Sequence, residues 1–327
     1  MNWDARLLNE TLADTWPKRV QALLTQQQQT WPQLRAATEA LAQVEYKDFT
    51  IKSSSVRAQF NPSRIVSTGA KVDAASIQAR PCFLCAENLP TEERALAFGG
   101  DFVVLCNPFP VLPKHLVISA RAHTPQAIDA QFGGLLELTR ALGAEFFTLY
   151  NGPKCGASAP DHLHFQAAAA THLPIWRELE GWPVKGSQVA ENVEAVTLPG
   201  YRINLLSVVS GEATALQAWF QQALAKLAAV TESREEPLLN LLARFCDGKW
   251  QVLLLPRQRH RPACYDAAGE AQLTVSPAAI DLGGILVVPR AEHFTRLRAG
   301  ILAQVYAEVT LCDERFAHWL RALITDG

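Results

Sequence analysis

Hydrophobic and polar residues follow the period of an amphipathic helix in the first part of the chain. Between residues 4 and 44, Leu, Val, Ala and Trp recur every three or four positions among Gln, Arg and Glu. Thr15-Trp16-Pro17 and Thr30-Trp31-Pro32 each resemble a helix start, with a capping Thr followed by an early Pro. The sequence therefore predicts an N-terminal helical segment, residues 1–45, of two or three short helices packed by their tryptophans.

After this segment the pattern changes to the two-residue alternation of β-strands, and the elements that follow predict two lobes. Strands are expected at 102–105 and 115–118 around a proline-rich turn, and a helix follows them. We assign residues 46–180 to this first lobe. Pro and Gly punctuate residues 181–200, which predicts a linker or lid. A second lobe of strands and helices is expected over 201–327.

The end of the first lobe carries the most informative pattern. His162-Leu163-His164-Phe165-Gln166 alternates polar and apolar residues, so a strand there would place both histidines and Gln166 on one face. The preceding loop contains Gly156 and Ser158, and small residues let backbone N–H groups approach a bound anion. Two imidazoles and an amide beside such a loop indicate chemistry at phosphorus. For either histidine, solvation or a hydrogen bond to a carbonyl remains the simpler alternative.

Cys82-Phe83-Leu84-Cys85 is the second pattern with chemical content. A turn with this spacing brings two thiolates to one tetrahedral ion, and zinc then needs two more ligands. A redox pair is the alternative, although the strand followed directly by a helix that is typical of thioredoxin-like proteins is not evident. The seven cysteines are scattered along the chain, which argues against a disulfide scaffold and favours a reducing compartment.

His162-x-His164-x-Gln166 resembles the signature of the nucleotidyltransferase branch of the histidine-triad superfamily. This branch includes galactose-1-phosphate uridylyltransferase, diadenosine tetraphosphate phosphorylase (ATP adenylyltransferase) and the GDP-hexose phosphorylases. The resemblance implies an α+β fold of two histidine-triad-like lobes with antiparallel sheets and packed helices. It also implies that His164 attacks the α-phosphorus of a nucleotide. Hydrolases of the superfamily usually carry a His where Gln166 stands. Because a Gln amide cannot act as a general base for water, transfer is favoured over hydrolysis.

The resemblance includes the Cys-x-x-Cys turn. In the uridylyltransferases a similar Cys-Phe-Leu-Cys is completed as a metal site by a downstream His and by the first His of the triad. The resemblance therefore implies a structural zinc site formed by Cys82, Cys85, His123 and His162. His162 would then be a metal ligand and not a catalyst.

Candidate substrate contacts come from the same resemblance. Arg57-Ala58-Gln59-Phe60-Asn61-Pro62 is similar to an Arg-x-Tyr-Asn-Pro stretch of the uridylyltransferases, with the spacing shifted by about one residue. Nearby arginines meet nucleotide phosphates in that family. The implied contacts are Arg57, Asn61, Arg64 and Lys71, together with Asn151, Gly156 and Ser158 of the loop. Surface cations flanking a turn are an equally good interpretation of the first group.

The second lobe contains an echo of the first. Residues 285–293 and 116–123 are each a β run followed by Arg and then by His before a helix. We interpret the echo as a second, degenerate histidine-triad-like half, which the uridylyltransferases also have. No second His-x-His occurs, so this half is expected to be supportive and not catalytic. The basic run 257–261 is either a solvated loop or a source of cations for the phosphates of a second substrate.

Composition narrows the set of partners. The 327 residues carry a net charge of −2, so no chain-wide positive field indicates a nucleic-acid polymer. No apolar run reaches membrane-spanning length, and the first residues have no apolar signal core. A cytoplasmic protein without a membrane partner is the expectation.

The resemblance implies a nucleotidyltransferase or phosphorylase with a covalent nucleotidyl-histidine intermediate. Its partners would be a nucleoside diphosphate sugar or dinucleoside polyphosphate and a phosphate or sugar-phosphate acceptor. A triad-type nucleotide hydrolase and a catalytically silent nucleotide-binding protein are the alternatives. The sequence leaves the base, the leaving group and the oligomeric state open.

Overall fold

The chain forms a mixture of strands and helices in a computed structural model that describes residues 3–8, 15–70 and 72–324. The strands are β1 (Glu45–Ile51), β2 (Ser54–Phe60), β3 (Leu96–Phe98), β4 (Phe102–Cys106), β5 (Leu116–Ala120), β6 (Phe146–Asn151), β7 (His164–Ala169), β8 (Lys185–Ala190), β9 (Val193–Thr197), β10 (Leu206–Ser210), β11 (Leu239–Cys246), β12 (Lys249–Pro256) and β13 (Ile285–Val288). The α-helices are α1 (Trp16–Thr30), α2 (Pro32–Leu41), α3 (Ile65–Thr68), α4 (Ala74–Gln78), α5 (Phe132–Leu142), α6 (Pro174–Gly181), α7 (Ala213–Val230), α8 (Ala279–Leu282), α9 (Ala291–Arg296), α10 (Ala299–Val309) and α11 (Asp313–Ile324). The predicted α+β class is confirmed. Within the described ranges, no helix combines the length and apolar character needed to span a bilayer.

The two N-terminal helices begin where the sequence predicts. Each carries a proline in its first turn, and the fixed φ of proline suits that position. The predicted caps are only partly found, because Trp31 and not Thr30 precedes α2. Neither Thr15 nor Trp31 caps its helix through a side-chain hydrogen bond. Trp31 instead packs into the main core with Leu23 of α1.

A ten-stranded antiparallel sheet organises the molecule in the order β3-β4-β5-β7-β6-β11-β12-β10-β9-β8. Its two halves have the same topology when each is followed along the chain. A hairpin (β4–β5 or β9–β10) leads into a helix (α5 or α7), and a second hairpin (β6–β7 or β11–β12) follows. The halves join where β6 pairs with β11. The two predicted antiparallel lobes thus correspond to two halves of one continuous sheet.

Both faces of this sheet are buried. One face packs against α1, α5, α7 and α11, with Phe165 and Trp319 in that core. The other face packs against a smaller sheet of order β1-β2-β13 and against α6, α8, α9 and α10. Consecutive residues of a central strand enter opposite cores, as Leu241 and Leu242 do, because side chains alternate along a strand.

The echo at residues 285–293 does not mark the repeat. Its strand, β13, lies in the small sheet and pairs in parallel with β2. In the large sheet, the position that corresponds to β5 is filled by β10. A short β run followed by Arg and His is too simple a pattern to identify an equivalent element, so this part of the interpretation is wrong.

Residues 181–200, expected to be a linker or lid, contain the hairpin of β8 and β9 at one edge of the large sheet. Asn192 forms the turn of this hairpin with a φ of 60°. Each residue of β8 is exposed or half-buried, as is common in an edge strand. The hydrophobic signal is therefore weak, and the flanking prolines dominate the sequence pattern. The boundaries proposed for the lobes otherwise stay predictions.

Candidate active site

The His-Leu-His-Phe-Gln stretch supplies the start of β7, a strand paired on both sides by β5 and β6. Leu163 and Phe165 enter the core beneath the helices, as the alternation predicts. His164 and Gln166 face the other way and line a cavity of about 610 Å³. That volume lies within the usual range of small-molecule sites.

His164 is buried with one ring nitrogen anchored. Its Nδ1 lies 2.8 Å from the carbonyl oxygen of His162. A carbonyl can only accept a hydrogen bond, so Nδ1 carries the proton and Nε2 keeps its lone pair. Burial lowers the pKa of His164 to about 4, which keeps the ring neutral near pH 7. This imidazole is chemically suited to nucleophilic attack through Nε2.

Gln126, which sequence reasoning missed, fixes the backbone around His164. Its Oε1 accepts from the His164 backbone N–H at 2.8 Å. Its Nε2 donates to the carbonyl oxygens of Asn151 and His164, at 2.9 and 3.0 Å. One side chain thus ties the end of β6 to the start of β7. No motif in the sequence marks this residue, which follows the predicted metal ligand His123.

Gln166 is oriented by His115. The Val111 backbone N–H donates to His115 Nδ1 at 3.1 Å, so the proton of the neutral ring sits on Nε2. That Nε2 donates to Gln166 Oε1 at 2.8 Å. Burial lowers the pKa of His115 to about 3, so the ring stays neutral. The Gln166 amide nitrogen is left as a donor without a partner in the described part of the chain.

The loop between β6 and β7 passes close to the second half of the molecule. Gly156 has a φ of 116°, and a Cβ there would lie 2.6 Å from the Cβ of Ala278. Asn151, Gly156 and Ser158 line a small cavity of about 70 Å³. Ser158 and Gln166 also line the larger cavity, so the two spaces adjoin.

Of Arg57 and Arg64, the predicted cationic contacts that the structure describes, Arg64 is placed beside His164. It lines both cavities, and its Nη1 donates to the Phe109 carbonyl oxygen at 2.8 Å. Its buried Nε has no hydrogen-bond partner in the described residues. Burial lowers the pKa of Arg64 to about 10, so the guanidinium remains charged. Lys71 lies outside the described residues.

Asn61 and Arg57 are not brought together with His164. Asn61 is buried and donates to Gln59 Oε1 and to the Pro110 carbonyl oxygen, which supports a turn. Arg57 lies on β2, where Asp48 of the neighbouring strand accepts from its Nε at 2.7 Å. Its half-exposed side chain lines a different cavity. A cross-strand ion pair explains why Arg57 points away from the loop.

From the sequence, the basic run 257–261 is either a solvated loop or a source of cations for phosphates, and its residues differ in this respect. Arg257 is buried and bonds to protein oxygens, so it is not part of a solvated loop. Arg261 lines the small cavity, and its Nη2 donates to the carbonyl oxygens of Thr68 and Ala70 at 3.2 and 3.1 Å. The run therefore brings one cation to the wall of the site.

The proposed zinc ligands do converge. The ligand atoms of Cys82, Cys85, His123 and His162 all lie within 4.8 Å of one another. His162 Nδ1 is 3.2 and 3.5 Å from the two sulfurs, and His123 Nδ1 is 3.3 Å from Cys85 Sγ. Ligand atoms around a tetrahedral zinc are about 3.5 Å apart. The residues therefore fit a zinc ion in spacing and in donor type.

Neighbouring groups orient these ligands. His162 Nε2 lies 2.8 Å from the Ala120 carbonyl oxygen, so it carries the proton and leaves Nδ1 for a metal. Asp161 lies 3.9 Å from His123 Nε2 and accepts from Arg80 at 2.7 Å. Burial and the adjacent Cys82 sulfur raise the pKa of Cys85 to about 12, an effect that a bound cation would oppose.

Comparisons with known proteins agree with this geometry. Residues 23–169 match a family model described as a domain of unknown function (DUF4922), and residues 179–326 match one described as GDPGP1-like, C-terminal domain. The search of curated proteins found no match. The structure of yeast Ap4A phosphorylase Apa2 aligns with 86% of this chain and 94% of its own, at a TM-score of 0.56 and 15% identity. The same enzyme in complex with Ap4A aligns with 86% of this chain and 97% of its own, at a TM-score of 0.53 and 14% identity.

The C-terminal family match and the fold shared with the yeast enzyme agree with the resemblance to the uridylyltransferase and Ap4A phosphorylase branch that His162-x-His164-x-Gln166 carries. At such low identity the yeast enzyme establishes the shared fold. The roles of individual residues in this chain rest on the geometry described above.

Proposed function

We propose that this protein transfers a nucleotidyl group from a nucleoside diphosphate sugar or a dinucleoside polyphosphate through a covalent intermediate on His164. One observation carries the proposal. The Nδ1–H of His164 is held by the His162 carbonyl, which leaves an unprotonated Nε2 in a buried, nucleotide-sized cavity. Fixing the tautomer in advance removes a proton transfer from the first step.

The reaction takes two displacements. In the first, the Nε2 lone pair forms a bond to the α-phosphorus, and the bond from that phosphorus to the leaving-group oxygen breaks. The leaving group is a sugar phosphate or a nucleotide. In the second, an oxygen of phosphate or of a sugar phosphate attacks the same phosphorus and breaks the P–N bond. The Nδ1 proton stays in place throughout, and the His162 carbonyl stabilises the positive charge on the ring.

Donors around the cavity would stabilise the phosphoryl oxygens. Arg64 offers an unpaired Nε, and Gln166 offers its amide nitrogen. Ser158 and the backbone N–H groups of the loop lie on the same wall. Such pre-oriented donors need little rearrangement as charge develops on the transferred group.

Gln166 supports transfer over hydrolysis. Its Oε1 is occupied by the His115 Nε2–H, and an amide does not accept a proton near neutral pH. Water entering the site would therefore meet no general base at this position. A triad-type hydrolase is the second candidate. Hydrolysis would then require water to attack the intermediate without a general base at this position.

The cavity also suggests where the base would lie. Away from His164 its wall is largely apolar, with Trp31, Leu89 and Phe109 among the lining residues. Glu93 adds one carboxyl to this wall, and burial raises its pKa to about 8. The yeast enzyme that shares the fold was crystallised with Ap4A, which is consistent with a nucleotide as ligand here.

Zinc would be held by Cys82, Cys85, His123 and His162. Bound there, it would supply a fixed cross-link between segments that are distant in the sequence. His162 ties this cross-link to the reaction, because its backbone carbonyl holds His164 Nδ1. The ring of one histidine would therefore serve the metal, and its carbonyl would serve the nucleophile.

Incubation with nucleotides tests the proposal. A panel of α-³²P-labelled nucleoside diphosphate sugars and dinucleoside polyphosphates, covering each base, is mixed with the protein without acceptor. Wild-type protein should acquire acid-labile, base-stable label from at least one compound, and phosphate should then release it as a nucleoside diphosphate. Free nucleotide with no trapped label would favour the hydrolase. Reversible binding alone would favour the silent nucleotide-binding protein.

The His164→Ala variant gives this test its control. It should keep its thermal stability close to that of wild type and acquire no label. His172→Ala, a change at an exposed histidine eight residues further on, should label normally. Equal labelling of wild type and His164→Ala would rule out the mechanism.

A further inference from the structure

The Asn151 side chain has a fixed orientation at the edge of the small cavity. Its Oδ1 accepts from the Ala279 backbone N–H at 3.0 Å, and that donor can only pair with an oxygen. The same Oδ1 accepts from Asn240 Nδ2 at 2.9 Å. Asn151 Nδ2 has no partner in the described part of the chain, and the residue lines the small cavity with Gly156 and Ser158. The amide therefore presents N–H donors toward that cavity.

Asn240, at the start of the second half's central strand, is itself locked. Its Nδ2 also donates to the Cys155 carbonyl oxygen at 2.8 Å, which anchors the catalytic loop. Its Oδ1 accepts from Arg257 Nη1. A carbonyl only accepts and a guanidinium only donates, so neither amide group of Asn240 can be exchanged without losing a hydrogen bond. Asn240 is fully buried.

Arg257 is the positive end of this chain of hydrogen bonds. It is 1% exposed, and its other bonds go to the backbone carbonyls of Val309, Pro277, Arg259 and His260. Among the described residues, no carboxylate forms an ion pair with it. A buried cation without a contacting carboxylate is costly, and the buried carboxyl of Asp281, which also lines the small cavity, offsets part of the charge from a greater distance. An anion in the adjoining cavity would offset more of it.

We propose that Asn240 and Arg257 are positioning residues that act through Asn151, holding its amide nitrogen toward a non-bridging oxygen of the substrate's α-phosphate. The inference rests on the proposed function in one respect, because it takes the cavity to hold a nucleotide phosphate. It assigns to the second half of the chain a part in phosphate recognition. Each hydrogen bond in the relay from Arg257 to Asn151 points the same way, so each donor is polarised by the one before it.

Asn240→Asp is the discriminating variant. The aspartate keeps the size of the side chain and gains an ion pair with Arg257. It also places an oxygen opposite Asn151 Oδ1, and the repulsion between these oxygens either flips the Asn151 amide, with loss of its bond from the Ala279 N–H, or displaces the side chain. In both cases a phosphate loses the oriented N–H donor, and binding should fall at least tenfold.

Gln251→Glu is the matched control. Gln251 also accepts from an arginine, Arg244, and also donates through its amide nitrogen, to Ser207. It lies on β12, the same second half, but lines neither cavity beside His164. The same chemical change there should leave phosphate binding within about twofold of wild type.

The first measurement uses inorganic phosphate and calorimetry, so it does not depend on any covalent step. Saturable binding to wild type and to Gln251→Glu, at least tenfold weaker for a folded Asn240→Asp, supports the inference. Equal affinities would overturn it, as would the absence of binding to wild type. Should Asn240→Asp fail to fold, Asn151→Asp takes its place. That variant keeps both acceptor bonds of residue 151 and turns only the cavity-facing group into an acceptor, so the same loss is expected.

The second measurement separates positioning from general distortion. The labelling rate is compared for the two diastereomers of an α-thio-substituted nucleotide that labels the wild type. Positioning predicts that Asn240→Asp slows one diastereomer at least tenfold more than the other, because only one bears oxygen at the site of contact. Equal slowing of both would indicate distortion and refute the inference. If no nucleotide labels the wild type while phosphate binding still depends on Asn240, the proposed function fails and the positioning inference stands.

Discussion

The two halves of the large sheet have one topology but different connections at a corresponding position. In the first half, β6 and β7 are joined by residues 152–163, which carry the loop of the candidate site. In the second half, β11 and β12 are joined by Asp247 and Gly248 alone, with φ values of 51° and 75°. A two-residue turn closes the hairpin and leaves no backbone to surround a phosphate. The sheet supplies the scaffold, and the longer connection supplies the site.

The strands after these connections sharpen the contrast. β7 begins His164-Phe165-Gln166 and β12 begins Lys249-Trp250-Gln251, and the two aromatic residues enter the same core. His164 is buried, whereas Lys249 is exposed. Similar strands therefore differ in chemistry because only one has a buried, oriented nitrogen.

The second half reaches the candidate site at the ends of β11 and β12 that lie away from their connecting turn. Asn240 begins the antiparallel pairing with β6, directly opposite Asn151. Arg257 follows the end of β12 and donates to Asn240. Under the positioning inference, these two residues would give the second half a supportive part in the site.

The largest expected effect on labelling distinguishes Gly156, in the connection between β6 and β7, from Gly248, in the turn between β11 and β12. Gly156→Ala would place a Cβ 2.6 Å from Ala278 at a φ of 116°, so the loop must move. We expect labelling by nucleotide to fall at least about a hundredfold, since a displaced donor wall costs this much. Gly248→Ala, with open space around its Cβ, should cost about 1 kcal/mol of stability and leave labelling unchanged. Normal labelling by Gly156→Ala would show that the loop does not form the site.

The next effect concerns metal and separates two cysteines. Purified protein should carry about one zinc per chain, and Cys82→Ser should lower both the zinc content and the melting temperature, because metal binding and folding are coupled. Cys246→Ser, at an exposed cysteine of the second half, should change neither. Elemental analysis and thermal unfolding measure both quantities. Metal-free wild-type protein of undiminished stability would count against the site.

A smaller effect distinguishes the corresponding glutamines. Gln166→His would place an imidazole where the amide stands, and an imidazole can take a proton from water. We expect the products to shift toward free nucleoside monophosphate at the expense of transfer. Gln251→His should leave the ratio unchanged, since Gln251 bonds only to Arg244 and Ser207 among the described residues. Chromatography of the products gives the ratio, and an unaltered ratio in Gln166→His would contradict the role of the amide.

The smallest effect concerns Arg57 and Arg64, which the sequence predicts equally as phosphate contacts. Arg57→Ala removes an exposed ion pair with Asp48, so the free energy of unfolding should change by less than about 1 kcal/mol and labelling should persist. Arg64→Ala should slow labelling at least tenfold, because it removes a cation from the cavity wall. Chemical denaturation measures the free energy of unfolding of each variant, and incubation with labelled nucleotide measures its labelling rate. A loss of labelling in Arg57→Ala would restore that residue as a substrate contact.

The sequence predicted those parts of the site that have a local pattern. Cys-x-x-Cys and His164-x-Gln166 place their side chains through a turn and a strand, so local spacing indicated their arrangement. His162 precedes the strand and lies with the two cysteines, so the prediction of one strand face for both histidines is wrong. Gln126 and Asn240 act through contacts across 25 and 89 positions of the chain, and no local pattern encodes such pairings. The true repeat, at β7 and β12, becomes visible only once the order of strands is known. For the same reason, the short echo at 285–293 misled the assignment.

The central claim is that His164 becomes covalently nucleotidylated, and the position of the adduct tests it most directly. Wild-type protein is incubated with a substrate nucleotide alone and cleaved under alkaline conditions with trypsin. Residues 155–177 lie between successive cleavage sites, so the peptide contains His162, His164 and His172. Fragmentation in the mass spectrometer should place one nucleoside monophosphate on His164. An adduct on His162 or His172, or an adduct that survives in His164→Ala, would contradict the account.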